Sequence, residues 1–172
     1  MLDTVIIQDR NDVFHITFDD IRKYHGLANI AGAAIGFKAI QAAASVLTPD
    51  APLPREPLSI LTGHPGPGVK DAIEFLTRAP TQGAYFVDRK IADARWNPYA
   101  NLSFSFFITL GEQTAAVYLK DKVLPNRFFE LMKEASQTTA PEVHAALDAL
   151  KQELSEKLVG QTSEQLFDIQ LR

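Results

Sequence analysis

Four histidines, His15, His25, His64 and His144, and no cysteine define what the side chains can offer chemically. Without a thiol there is no disulfide, no thiolate metal site and no thiol nucleophile, so a metal would have to be held by imidazole, carboxylate, amide or water. His64 opens the stretch HPGPGVKDAIEFLTRA, residues 64 to 79, where two Pro-Gly pairs lead straight into a helix-forming run. A loop this short and stiff leaves its imidazole few conformations, which suits either a ligand-binding position or a turn residue hydrogen-bonded to the backbone. The helix start behind it presents unpaired N–H groups and the positive end of the helix dipole, both attractive to carboxylate or phosphate. Gly66 and Gly68 allow a ligand close to the backbone. Asp71, seven residues after His64, either orients the imidazole or simply favours the dipole. The loop lacks the Gly-Lys-Ser/Thr ending of a phosphate-binding loop and the dinucleotide fingerprint, so nucleotide binding is not expected. His15 follows Phe14 in a β-like segment and is expected near the site. His144 falls on the polar side of a long helix. The polar-aromatic run Arg95-Trp96-Asn97-Pro98-Tyr99 suits the lining of a pocket or the edge of a core.

The elements that must position these residues follow from the pattern. Thr17 and Asp20 have capping-box spacing and open a short helix through Tyr24. The run NIAGAAIGFKAIQAAASVL reads as a helix over about 29–47. Its Gly32 and Gly36 share a face, and each costs about 1 kcal/mol relative to Ala, so that face is expected to be buried against a close neighbour. TPDAPLPREP carries four prolines and is a stiff connection without regular helix. LSILT is a buried strand feeding the HPGPG turn and the following helix. AYFVDRK, NLSFSFFITL and TAAVYLK are strands, the last two joined by a hairpin at Gly111, in an antiparallel sheet with one solvated face. Pro125 and Pro141 belong to the first turns of two helices, and Gly160 closes the second. The tail SEQLFDIQLR fits helix and strand alike. The fold class is α+β: a single domain with a mixed, mostly antiparallel sheet packed by helices, and a helical C-terminal segment from about 125.

The remaining composition sets bounds. With 172 residues, 46% hydrophobic, 22% charged and a net charge of -4, the chain suits one globular domain and offers no basic surface for nucleic acid. No run reaches the roughly 18 consecutive apolar residues of a membrane span, and the N-terminus has no signal-like pattern, so a cytoplasmic protein is expected.

HGLANIAGAAIGFKAI and LTGHPGPG resemble the two defining segments of the FmdE-like family, named for a component of formylmethanofuran dehydrogenase. The first motif of that family is His-Gly-His-x-Cys-Pro-Gly followed by a small-residue helix, and His25-Gly26 with Gly32 and Gly36 match its ends. The second is Leu-Thr-Gly-Cys before a glycine-bearing turn, matched by Leu61-Thr62-Gly63-His64 and the turn to Gly68, with histidine in place of cysteine. The tail Gln165-Leu166-Phe167-Asp168-Ile169 is also similar, so the likeness spans roughly residues 15 to 170. The resemblance implies an α+β domain with a mixed sheet, a homodimer, and a metal such as zinc at the His and Cys positions, with no reaction assigned to most members. Carried onto this chain, it makes His25 and His64 the metal pair, with Asn29 the only match for a further ligand. The expectation is therefore a site for a small ligand or divalent metal around His25 and His64, brought together in one cleft. Asn29, Gly66, Gly68 and Asp71 are expected to take part in ligand binding. The alternative is a non-catalytic homodimeric binding or assembly module.

Overall fold

The computed structural model describes residues 3–97 and 102–172. The chain opens with a hairpin, β1 (Thr4–Asp9) and β2 (Asp12–Thr17), in antiparallel register with Ile6 opposite His15. The pattern did not announce it, because β2 leaves Val13, Phe14 and His15 exposed and so lacks the alternation of a half-buried strand. Thr17 then caps α1 (Phe18–His25): its hydroxyl accepts the Asp20 N–H while the Asp20 carboxylate takes the Thr17 N–H at 2.9 Å.

Helix α2 (Ile30–Leu47) is the axis of the molecule, with α1 and further helices packed around it and strands of both sheets against it. By length and composition it could cross a membrane. The count of consecutive apolar residues missed this because glycine, Lys38, Gln41 and Ser45 interrupt the run. Here the helix is interior, with 72% of it enclosed by its neighbours. Lys38 is fully buried within it, and burial pushes its ammonium down to about 8, opposed by the negative charges of Asp3 and Glu164.

The proline-rich connection contributes one element, the two-residue strand β3 (Leu53–Pro54), which pairs parallel to β1 and buries Leu53. Strand β4 (Leu58–Thr62) follows and leads into α3 (Pro67–Thr77). The Gly32 and Gly36 face of α2 meets the start of α3, as their spacing predicts. A Cβ on Gly36 would stand 3.0 Å from the Val69 carbonyl oxygen, and one on Gly68 would stand 2.4 Å from the Asn29 carbonyl oxygen. The two helices therefore touch backbone to backbone, which only glycine permits.

The larger sheet has the order β5-β4-β6-β7-β8, with β5 (Tyr85–Val87) parallel to β4 and the other pairs antiparallel. Strands β6 (Ser105–Leu110) and β7 (Gln113–Leu119) form the expected hairpin, with Gly111 at φ +62° in its turn. The expected solvated face is not found at the centre of this sheet, where Phe106, Ile108 and the whole run 115–118 are buried. One face packs on α2. On the other, the Arg95 guanidinium lies 4.7 Å from the Tyr118 ring centroid and that of Arg172 lies 5.9 Å from Phe107, so long side chains cover apolar rings. Asn101, the first residue of the run NLSFSFFITL, lies outside the described residues, and the strand itself begins at Ser105.

Helices α4 (Asn126–Gln137) and α5 (Pro141–Val159) start at the two prolines, Pro125 as N-cap and Pro141 in the first turn. The tail combines both of its readings: a capping box from Thr162 to Gln165 opens α6 (Ser163–Leu166), after which β8 (Phe167–Leu171) pairs with β7. The result is an α+β domain, six helices and two mixed sheets among the described residues.

Candidate functional site

Strand β4 delivers the His64 loop and α3 ends it. The Thr62 hydroxyl accepts the His64 N–H at 3.2 Å and donates to the Ser105 carbonyl at 2.8 Å, fixing the loop to the neighbouring strand. The imidazole stacks on Phe104 with ring centroids 4.3 Å apart, and its Nδ1 accepts the Gly66 N–H at 3.0 Å. A Cβ on Gly66 would fall 2.4 Å from His64 Cε1, so the ring folds back over Gly66 and a side chain there would displace it. His64 is only 9% exposed. Burial, aided by the positive charge of Arg89, pulls its pKa down to about 4, so the ring is neutral at physiological pH. With Nδ1 accepting, the one ring hydrogen resides on Nε2, which is a donor.

His64 lines a pocket of about 160 Å³ to which five parts of the fold contribute. The first turns of α2 supply Asn29, Ala31, Gly32 and Ile35, and the loop into α3 supplies Pro65, Gly66, Pro67 and Gly68. Leu102, Phe104, Phe128, Phe129, Met132 and Lys151 close the rest. Most of this wall is apolar or aromatic, and among these residues the only formal charge is Lys151. That ammonium donates to Asn29 Oδ1 at 3.0 Å, and burial lowers its pKa against the opposing effect of Asp148. An apolar cavity of about 150 Å³ accommodates benzene, so the space suits one ring.

His25 belongs to a different arrangement. It ends α1 with its side chain only 5% exposed, its Nδ1 2.7 Å from Asp71 Oδ2 and its Nε2 bonded to the Ala28 carbonyl. Both partners are oxygen acceptors, and through them the ring ties α1 and the α1–α2 turn to α3. Asp71, placed by sequence either at His64 or at the helix dipole, instead anchors His25 from the first turns of α3.

The donors therefore do not fit a zinc ion as they stand. His25 has both nitrogens facing oxygen acceptors, and the lone pair of His64 Nδ1 is taken by the Gly66 N–H. Among the described residues no three His, Asp or Glu side chains come together as a metal-holding group.

Of the residues singled out by sequence, His64, Asn29, Gly66 and Gly68 share the cavity, while His25 and Asp71 pair with each other outside its lining. His15 is exposed on β2 in an open cleft with Tyr24, Arg55 and Phe75, apart from the cavity. His144 is exposed, with Nε2 donating to the Thr138 carbonyl at 2.8 Å. In the polar-aromatic loop, Arg95 pairs with Asp168 at 2.5 Å and Trp96 packs where a Gly63 side chain would be; Pro98 and Tyr99 lie outside the described residues. Sequence reasoning missed Lys151 and the α4 aromatics. The signal for Lys151 was present: it occupies the buried stripe of α5 with Leu147, Leu154 and Leu158, where a lysine is out of place unless something requires it.

No protein-family model matches this sequence, and no curated protein matches it.

Proposed function

We propose that this protein binds a small, ring-sized organic molecule in the cavity between α2, the His64 loop, α4 and α5. The observation that carries the reading is the make-up of the wall: an apolar, aromatic enclosure of about 160 Å³ into which a few polar groups converge, His64, Asn29 and Lys151. This is the usual composition of a small-molecule site, where aromatic surface supplies affinity and a few fixed donors set orientation. The resemblance to the FmdE-like family supports the same location, since parts of the two segments that carry it, Asn29 to Ile35 and His64 to Gly68, line the cavity. Fluorobenzene titrated into the protein and followed by fluorine NMR should bind saturably, and Met132→Trp, which fills the cavity from α4, should abolish that binding. Fluorobenzene that binds equally well to the filled variant would refute the assignment.

A second reading, a homodimeric assembly module, is favoured by one feature. Strand β2 is the open edge of the sheet β2-β1-β3 and leaves Val13 and Phe14 exposed, so a second copy could pair along it. Sedimentation would show a species of twice the 19.0 kDa chain mass, lost in Phe14→Lys. A monomer at all micromolar concentrations would exclude it.

A further inference from the structure

We propose that the occupant of this cavity is a one-ring aromatic carboxylate, its ring among Phe104, Phe128 and Phe129 and its anionic group held by Lys151. The inference rests on the cavity being a binding site and adds the chemistry of the ligand.

The polar inventory of the wall is biased to one sign. Lys151 Nζ can only donate, and it meets the neutral Asn29 Oδ1 rather than an anion. Among the described residues no carboxylate lies within ion-pair distance of it, and Asp148 acts on it only from further away. His64 has spent its acceptor on the Gly66 N–H, which leaves Nε2–H as a second donor. The start of α3 at Gly66 has no side-chain cap, so the positive end of its dipole adds to the same sign at the loop that lines the cavity. A ligand must therefore bring acceptors, and a negative charge is the complement of a half-buried ammonium without a counter-ion. The lowered pKa of Lys151 has burial as its main cause, and a carboxylate arriving beside it would reverse that shift.

Shape restricts the remainder of the molecule. The volume matches one ring, and Phe104 already stacks on His64, so the aromatic wall favours a planar body over a branched one. A nucleotide or a polyphosphate is too large and too polar for such a lining.

The test is calorimetric titration with three probes of one size, benzoate, benzamide and fluorobenzene, on the full chain. Benzoate should bind about 10-fold or more tighter than benzamide. In Lys151→Met that preference should vanish while fluorobenzene binding persists, and in Lys151→Arg the preference should survive. Equal affinity for benzoate and benzamide in the wild type, or an unchanged preference in Lys151→Met, would overturn the inference while leaving the cavity as an apolar site. Failure of fluorobenzene itself to bind would overturn both.

Discussion

His25 and His64 lie in similar sequence surroundings, each beside a glycine and each before a helix, yet the fold uses them in opposite ways. His25 has both nitrogens bonded to Asp71 and Ala28 and ties α1 to α3. His64 has one nitrogen bonded within its own loop and the other left as a donor on a cavity wall. A buried imidazole is structural when its hydrogen bonds are completed by the protein, and available for recognition when one is left for something else. Residue type did not distinguish the two; the count of partners did.

Substitutions can sharpen this contrast, beginning where the largest effect is expected. Gly68→Ala would drive a methyl group into the Asn29 carbonyl and the Ala33 N–H where α2 and α3 meet. The expected loss is about 3 kcal/mol in urea unfolding, the upper end for overpacking. A loss under about 1 kcal/mol would show that the helices can part at little cost.

Acid should act through His64. Its folded pKa of about 4 lies below the unfolded value of 6.5, so the unfolded chain binds the extra proton as pH falls. Stability conferred by the neutral ring is complete above about 6.5 and is lost as pH drops toward about 4, roughly 3 kcal/mol at about 1.4 kcal/mol per unit. The gap between wild type and His64→Phe, followed by urea unfolding over that range, should move against the wild type by this amount. A constant gap would mean that His64 is not held neutral.

His25→Ala removes two hydrogen bonds, one of them to a carboxylate, and should cost about 2 kcal/mol while leaving fluorobenzene affinity within about twofold. If binding falls with it, the two histidines are not separate in function. His144→Ala, at an exposed ring, should change stability by no more than about 0.5 kcal/mol and leave binding unaltered.

Much of the frame was legible in the sequence, because local physics determined it. The Thr17 capping box, the glycine face of α2, the LSILT strand, the Gly111 hairpin and the prolines opening α4 and α5 each have a short-range cause. The β1–β2 hairpin and the covered second face of the main sheet were not legible, since they depend on which distant side chains come to lie over a strand. The site divides in the same way. The His64 loop could be singled out from its own prolines and glycines, whereas Lys151 reaches Asn29 across 122 positions of sequence. Asp71 was read either against the histidine nearest in the chain or as a favourable charge for its helix dipole, but close approach of α2 and α3 carries α1 with it and gives that carboxylate to His25.

Nitrogen-detected NMR of the imidazoles at neutral pH, with and without benzoate, tests the separation of the two histidines most directly. The expected spectrum has His64 as the neutral tautomer protonated at Nε2, with that resonance moving on addition of benzoate while both nitrogens of His25 stay in place. A benzoate-dependent shift at His25 with His64 unmoved, or a free His64 protonated at Nδ1, would contradict the assignment of recognition to the His64 cavity.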